Sequence, residues 1–320
     1  MKKSEKLSNR QIAKNINGKV VVVTGGTGSI GSEIVRQLLN FSPKQIRVYS
    51  RDETKHFFLQ KELDEIKTKV DVRYLIGDIR DKERLSKALV GANIVFHAAA
   101  LKHVPYCEYN PFEAIKTNVY GTQNLIDLSI DHDVDKVIAI STDKAVYPNT
   151  LMGITKLLME RMIVGAPSYT GDAKTKFCVV RFGNVINSRG SVIPTWIEQI
   201  KKGGPVTVTN KHMTRFFMSI NEAVDLIFRA FSDMKGQEIF VLKMIEHNIL
   251  ELANKTINEN ANGKTIKIKF TGRRNREKIK EQLYTEEERD TMIDHKDYFI
   301  ILPNKIIFSK LIGDNRFRFK

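Results

Sequence analysis

The sequence predicts an α/β fold: a doubly wound parallel sheet with a smaller α+β substrate-binding lobe on its C-terminal side. Three observations carry this. Apolar runs of strand length alternate with helically periodic stretches through residues 18–164. The first run passes straight into a glycine-spaced turn and then a helix. Beyond residue 185 the alternation breaks into short, irregular pieces. The expected organisation is an N-terminal extension over 1–17, a cofactor domain over 18–185 and a substrate lobe with a tail over 186–320. A helix over 221–234 is expected to return to the main sheet.

Composition narrows the function classes. The chain has 320 residues and 42% hydrophobic content, enough for a full core. No apolar run approaches the ~20 residues that cross a bilayer. Residues 1–19 are basic and lack the apolar middle of a secretory signal. The two cysteines, Cys107 and Cys178, have neither disulfide-framework nor metal-ligand spacing, which fits a reducing cytoplasm. None of the seven histidines has metal-ligand spacing either, so no metal is expected.

The net charge of +15 admits a site for anionic small molecules, a nucleic-acid surface, or solubility alone. The densest basic cluster, Arg273, Arg274, Arg276, Lys278 and Lys280, lacks the interleaved aromatics of single-strand binders. Phosphate-bearing small molecules are therefore favoured over nucleic acid.

Residues 19–23 form a β-branched strand that runs into Thr24, Gly25, Gly26, Thr27, Gly28, Ser29, Ile30 and Gly31. A helix over 32–39 follows. The G-x-x-G-x-x-G spacing allows a tight turn and close backbone approach, and the helix N-terminus offers free N–H groups to a pyrophosphate. Strand, turn and helix together predict a Rossmann-like dinucleotide site. The second strand, 46–49, ends at Ser50 and Arg51. Arg51 lies 20 residues past Gly31, where an NAD site usually has an acid for the ribose hydroxyl. A hydroxyl and a guanidinium suit a 2′-phosphate, so NADP is favoured over NAD, while the adjacent Asp52 and Glu53 leave NAD open.

The third strand, 72–76, leads to Asp78 and Ile79 on the adenine side. Asp78 either accepts from the adenine amine or caps a helix over 82–89. The fourth, 94–96, leads to His97, Ala98, Ala99 and Ala100, small residues that let the chain pass close to a cofactor, and then to Lys102. A single long helix is expected over 111–131, with Asn118 anchoring the sheet centre beside the cofactor.

The central strand, 137–140, runs into Ser141, Thr142, Asp143 and Lys144, at the carboxyl end of the sheet, where open α/β folds place ligand chemistry. A helix over 151–164 carries Met152 and Lys156. Another buried strand covers 177–182. The lobe then brings a segment with Pro194 and Trp196, a turn at 201–205, the helix over 222–234, a strand within 236–242 and a helix over 249–257.

Several stretches resemble the extended short-chain dehydrogenase/reductase family. They are Thr24 through Gly31; Ser50, Arg51, Asp52 and Glu53; His97 through Pro105, with its Ala-Ala-Leu-Lys-His-Val-Pro run; and Ser141-Thr142-Asp143-Lys144-Ala145. Further along are Arg181-Phe182-Gly183-Asn184-Val185, Ser188 through Val192, and Met213-Thr214-Arg215-Phe216. Within that family the chain looks most like the short soluble UDP-N-acetylglucosamine 4,6-dehydratases of surface-glycan and flagellin glycosylation. The likeness spans about residues 18–305. It departs at one position: the family's Tyr-x-x-x-Lys pair reads Met152 and Lys156 here, as in some members of the group. A thioether moves no proton at neutral pH, which argues against an ordinary ketoreductase.

The resemblance implies oxidation at carbon 4, loss of water across carbons 5 and 6, and hydride return to carbon 6. It implies Asp143 as the acid and Lys144 as the base. Asp143 must then hold a proton and Lys144 must lack one, although adjacent opposite charges favour the reverse. Burial, or a proton exchanged within the pair to leave it neutral, is required. Lys156 is assigned the ribose hydroxyls and the positive potential beside the nicotinamide. For the carbon-4 hydroxyl the favoured reading is Asp143 acting a second time, through Thr142, with Tyr147 as an alternative.

The UDP-sugar is expected against Lys102, His103, Asn184, Arg189, Val192, Arg215, Arg274 and Glu277. Arg274 sits in a Gly-x-Arg-x-Gly-Glu-Lys motif whose fourth and fifth positions are here Asn275 and Arg276. His103 could instead be a loop hydrogen-bonder. The expected state is a cytoplasmic homo-oligomer without membrane or nucleic-acid partners. Carbon-5 configuration stays open, with inversion favoured. A nucleotide-sugar 4-epimerase and a non-catalytic dinucleotide-binding scaffold or sensor are the competing readings.

Overall fold

The computed structural model describes residues 3–168, 171 and 173–303; the expected basic tail over 306–320 lies outside the described residues. Helix α1 (Lys3–Ile16) fills the N-terminal extension. Its Ile12 and Ile16 are buried in this chain's own core.

The cofactor half then alternates. β1 (Val20–Thr24) is followed by α2 (Ser29–Leu38), β2 (Gln45–Ser50), α3 (Glu53–Asp64), β3 (Asp71–Ile76), α4 (Lys82–Leu89) and β4 (Ile94–His97). The expected long helix is three pieces run together: α5 (Val104–Tyr109) precedes it, α6 (Pro111–Ile115) begins it, a π turn over Lys116–Tyr120 interrupts it, and α7 (Gly121–Asp131) completes it. β5 (Lys136–Ile140), α8 (Leu151–Gly165), β6 (Lys176–Arg181) and the two-residue β7 (Asn184–Val185) follow. α3 escaped the periodicity reading because its aromatics point outward: Phe57 and Phe58 are exposed. Its start was legible, since the Asp52 side chain accepts from the Lys55 N–H as an N-cap.

The remaining elements are α9 (Val192–Lys201), β8 (Val206–Val208), β9 (Thr214–Met218), α10 (Ile220–Asp233), β10 (Ile239–Leu242) and β11 (Glu246–Asn248). After them come α11 (Ile249–Asn260), β12 (Ile268–Phe270), α12 (Glu286–Arg289), β13 (Met292–Asp294) and β14 (Tyr298–Ile301). One sheet of nine strands runs β13-β14-β10-β6-β5-β4-β1-β2-β3. From β10 to β3 every pairing is parallel, and β14 and β13 close the edge antiparallel. The sheet therefore draws strands from well beyond residue 185. Short β-branched segments such as 298–301 can serve a lobe or a sheet edge, and the sequence alone does not choose.

The sheet is covered on both faces, which is why its strands read as continuous apolar runs. Val21 and Val23 face a core shared with Ile34 and Leu38 of α2 and Ile227 and Phe231 of α10. Val22 faces the other, with Leu85 of α4, Leu125 of α7 and Met159 of α8. Chain order reverses between β1 and β4, opening a crevice at the carboxyl ends of the strands. The lobe has its own core of Trp196, Ile200, Val206, Val208, Met213 and Ile249.

Candidate active site

A cavity of about 970 Å³ occupies the crevice. Its floor on one side is the glycine turn. Gly25 sits at φ +65°, and a Cβ there would lie 2.6 Å from the Ala99 nitrogen. A Cβ on Gly31 would lie 2.3 Å from the Gly25 carbonyl oxygen. Only glycines let the loop, the 98–100 segment and the start of α2 converge this closely, and the cradle they leave suits a pyrophosphate at a helix N-terminus. Thr27, Gly28, Ser29, Ile30 and Ala98–Ala100 line the same wall. Thr24 does not. Its hydroxyl bonds to the buried His97 ring at 2.7 Å, so its role is to tie β1 to β4.

At the end of β2, Ser50 and Arg51 line the cavity, with Lys55 beside them. Ser50 Oγ meets Thr27 Oγ1 at 2.8 Å, joining this rim to the glycine turn. The Asp52 carboxylate is engaged by Lys55, which together with its capping role turns it toward α3. Asp78 and Ile79 also line the wall. Asp78 pairs with Arg80 at 2.7 Å and with Arg51 at 3.6 Å. These guanidiniums hold its carboxyl below its usual range despite the opposing effect of burial. It is not the cap of α4, which is Asp81.

Asn118 is a second correction on the cofactor side. It is buried away from the cavity in the π turn. Its Oδ1 accepts the Leu101 N–H at 2.8 Å, and its Nδ2 donates to the Leu101 carbonyl and to Thr155. It clamps the 98–103 segment to α8 and does not reach a ligand.

The chemistry-bearing wall lies at the carboxyl end of β5. Thr142 caps a single 3-10 turn, Asp143–Ala145. Lys144 Nζ donates to Asp143 Oδ1 at 2.9 Å and to Asn184 Oδ1 at 3.1 Å. Thr142 Oγ1 donates to the same Asp143 oxygen at 2.9 Å. Thr142, Lys144 and Asn184 line the cavity, but Asp143 is 0% exposed and does not. It backs Thr142 and Lys144, which do. Gly153 makes this packing possible, since a Cβ there would stand 2.3 Å from the Lys144 carbonyl oxygen.

Met152 reaches the cavity wall but packs with Cys107, Ala114 and Leu151 at 4% exposure. Lys156, one turn on, is buried, and its Nζ donates to the Ile140 carbonyl at 2.5 Å. Burial lowers its pKa from 10.5 to about 8, with the Glu160 carboxylate opposing. Tyr147, at φ 42°, is turned out of the cavity, and its hydroxyl accepts the Glu286 N–H. It does not stand in for the missing phenol.

On the lobe side, Lys102, His103, Val192, Arg274 and Glu277 line the cavity. Burial, with the neighbouring Arg189 charge, lowers the Lys102 pKa, and burial with Lys102 lowers that of His103. Arg189 and Arg215 line the cavity too, each also tied to backbone groups. Arg189 reaches back to the glycine turn, donating to the Thr27 carbonyl at 3.0 Å and, from its backbone, to Ser29 Oγ at 3.1 Å. The Arg215 guanidinium donates to the carbonyls of Thr214, Lys278 and Ile279. It fixes the 277–281 strap.

The sequence reading missed two features. Glu281, on that strap, lines the cavity with its Oε1 3.8 Å from Lys144 Nζ. Arg181 is buried between Glu160 at 2.6 Å and Glu288 at 2.8 Å, binding β6 to α8 and α12. Only the charged end of an otherwise apolar strand hinted at Arg181; Glu281 has no local signal, because tertiary contacts alone bring it to the site.

A family model described as polysaccharide biosynthesis protein matches residues 21–303. The chain is 52% identical over 313 residues to a Methanocaldococcus jannaschii protein described as "Uncharacterized membrane protein MJ1061", covering 94% of this chain and 93% of that one. No helix among the described residues is long and apolar enough to cross a membrane. The UDP-N-acetylglucosamine 4,6-dehydratase (inverting) of Campylobacter jejuni is 41% identical over 290 residues, 90% of this chain and 84% of that one. The UDP-glucose 4-epimerase of Rickettsia rickettsii is 43% identical over 287 residues, 88% of this chain and 82% of that one. The X-ray structure of Pen from Bacillus thuringiensis matches with a TM-score of 0.86 at 43% identity, covering 90% of each chain.

Proposed function

The chain belongs to the polysaccharide biosynthesis protein family, and we propose that it is an NADP-dependent 4,6-dehydratase of UDP-N-acetylglucosamine, with inversion at carbon 5. One observation carries the reading: Asp143 is joined to both Thr142 and Lys144 at the cavity wall, and the position of the usual phenol holds Met152. Acid–base groups for an elimination are present where the group that serves simple keto reduction is replaced. The 41% identity to a dehydratase of this substrate supports it.

The crevice would hold NADP, whose chemistry there would be hydride exchange with carbons 4 and 6 of the sugar. The glycine cradle would hold its pyrophosphate, Ser50, Arg51 and Lys55 its 2′-phosphate, and Lys156 its ribose. Thr142 would hydrogen-bond the carbon-4 hydroxyl and pass its proton to Asp143. The ketone formed at carbon 4 acidifies the carbon-5 proton, which Lys144 removes. Lys102, His103 and Arg274 would face the sugar and diphosphate.

A UDP-sugar 4-epimerase is the second reading, favoured by the 43% identity to an enzyme of that name. Met152 weighs against it, because epimerisation needs a proton shuttle beside carbon 4. Chromatography of purified protein incubated with UDP-N-acetylglucosamine separates the two. A dehydrated keto sugar supports the first reading, and an isomer of unchanged mass supports the second.

A further inference from the structure

We propose that Glu281 is a catalytic acid of the elimination, donating the proton that lets the carbon-6 hydroxyl leave as water; the inference rests on the dehydratase reading above. The acid must touch the sugar. Asp143 has no exposed surface and is closed off behind Thr142 and Lys144. Glu281, 3.8 Å from Lys144, is a carboxylate that does line the cavity.

Its placement is built. Arg215 holds the Lys278 and Ile279 carbonyls, Arg181 holds the Leu283 carbonyl, and Lys278 Nζ donates to the Val146 carbonyl. These bonds press the strap onto the turn that carries Lys144. The charged groups facing the Glu281 carboxylate are Lys144, 3.8 Å from Oε1, and Lys278, 3.4 Å from Oε2, with Asp143 behind Lys144. Oε2 is buried and has no hydrogen-bond partner among the described residues. Closing the gap between Oε1 and Lys144 to hydrogen-bond length takes a movement of ~1 Å.

The proton sequence balances. The step requires Glu281 as the acid and Lys144 as the free amine at its start. As Lys144 takes the carbon-5 proton, the C5–H electrons form the C5=C6 bond. The C6–O bond breaks with its electron pair on oxygen, and Glu281 protonates that oxygen to give water. Lys144, now an ammonium, hands its proton across to the Glu281 carboxylate and the starting pair is restored. The carbon-4 proton held on Asp143 leaves to solvent as one is taken up at carbon 5. The electrons withdrawn at carbon 4 return at carbon 6, so no outside oxidant is needed.

The test compares wild type, Glu281→Gln and Glu281→Asp with UDP-N-acetylglucosamine, following water loss by mass and reduced nicotinamide by absorbance. Glu281→Gln should lose water elimination about 100-fold or more and accumulate reduced cofactor at the wild-type initial rate, with Glu281→Asp recovering part of the turnover. Turnover of the Gln variant within about threefold of wild type would overturn the proposal. So would loss of cofactor reduction and elimination together in both variants, which marks a structural role. A wild-type protein that leaves the substrate mass unchanged would overturn the dehydratase reading, and this inference with it.

Discussion

Oδ1 of Asp143 accepts from the Thr142 hydroxyl and from Lys144 Nζ at the same distance, 2.9 Å. One buried oxygen thereby links the residue proposed for the carbon-4 hydroxyl to the residue proposed for the carbon-5 proton. Thr142→Val removes the first link without changing the shape of the wall. It should slow carbon-4 oxidation about 100-fold, read as the initial rate of nicotinamide reduction. An unchanged rate would remove Thr142 and Asp143 from that step.

Met152 packs in a small apolar cluster at the cavity edge. If it fills space and moves no proton, Met152→Leu conserves what matters. Activity should stay within about threefold and stability within roughly 1.5 kcal/mol, measured by turnover and urea denaturation.

Lys156 yields a pH prediction. Burial brings it down to about 8, so the ammonium assigned to the ribose is present below that pH and is lost as pH rises through it. Affinity for NADP should fall above about pH 8, as followed by fluorescence titration, and Lys156→Met should flatten that limb.

Arg181 joins two carboxylates from separate elements at 1% exposure. Arg181→Met leaves Glu160 and Glu288 buried and unpaired. Stability should fall by about 3–5 kcal/mol in chemical denaturation. A loss within about 1 kcal/mol would mean that the network does not anchor α12 and the strap.

The fold was legible because its signals are local. The valines of β1 and the apolar run of β5 alternate with periodic helices, and the glycine turn needs no distant partner to be recognised. Residues near those signals, from Gly25 to Gly31 and at Thr142, Asp143, Lys144, Met152 and Lys156, fall at the crevice or directly behind it. Side chains at the lobe were less legible because their partners are remote in sequence. Arg215 and Arg189 look alike as charges, yet one binds strap carbonyls and the other the glycine turn. Thr24 and Asn118 sit in cofactor-type motifs, but their bonds to His97 and Leu101 make them ties within the scaffold. β13 and β14 join the sheet only through a return of the chain that no short pattern announces.

The central claim is a redox-neutral dehydration of UDP-N-acetylglucosamine, and mass spectrometry of the purified protein with that sugar in heavy water tests it most directly. The account predicts a product lighter by one water, carrying one solvent deuteron at carbon 5, without net consumption of cofactor. A substrate of unchanged mass after addition of NADP and then of NAD, or a dehydrated product with no deuterium at carbon 5, would contradict it.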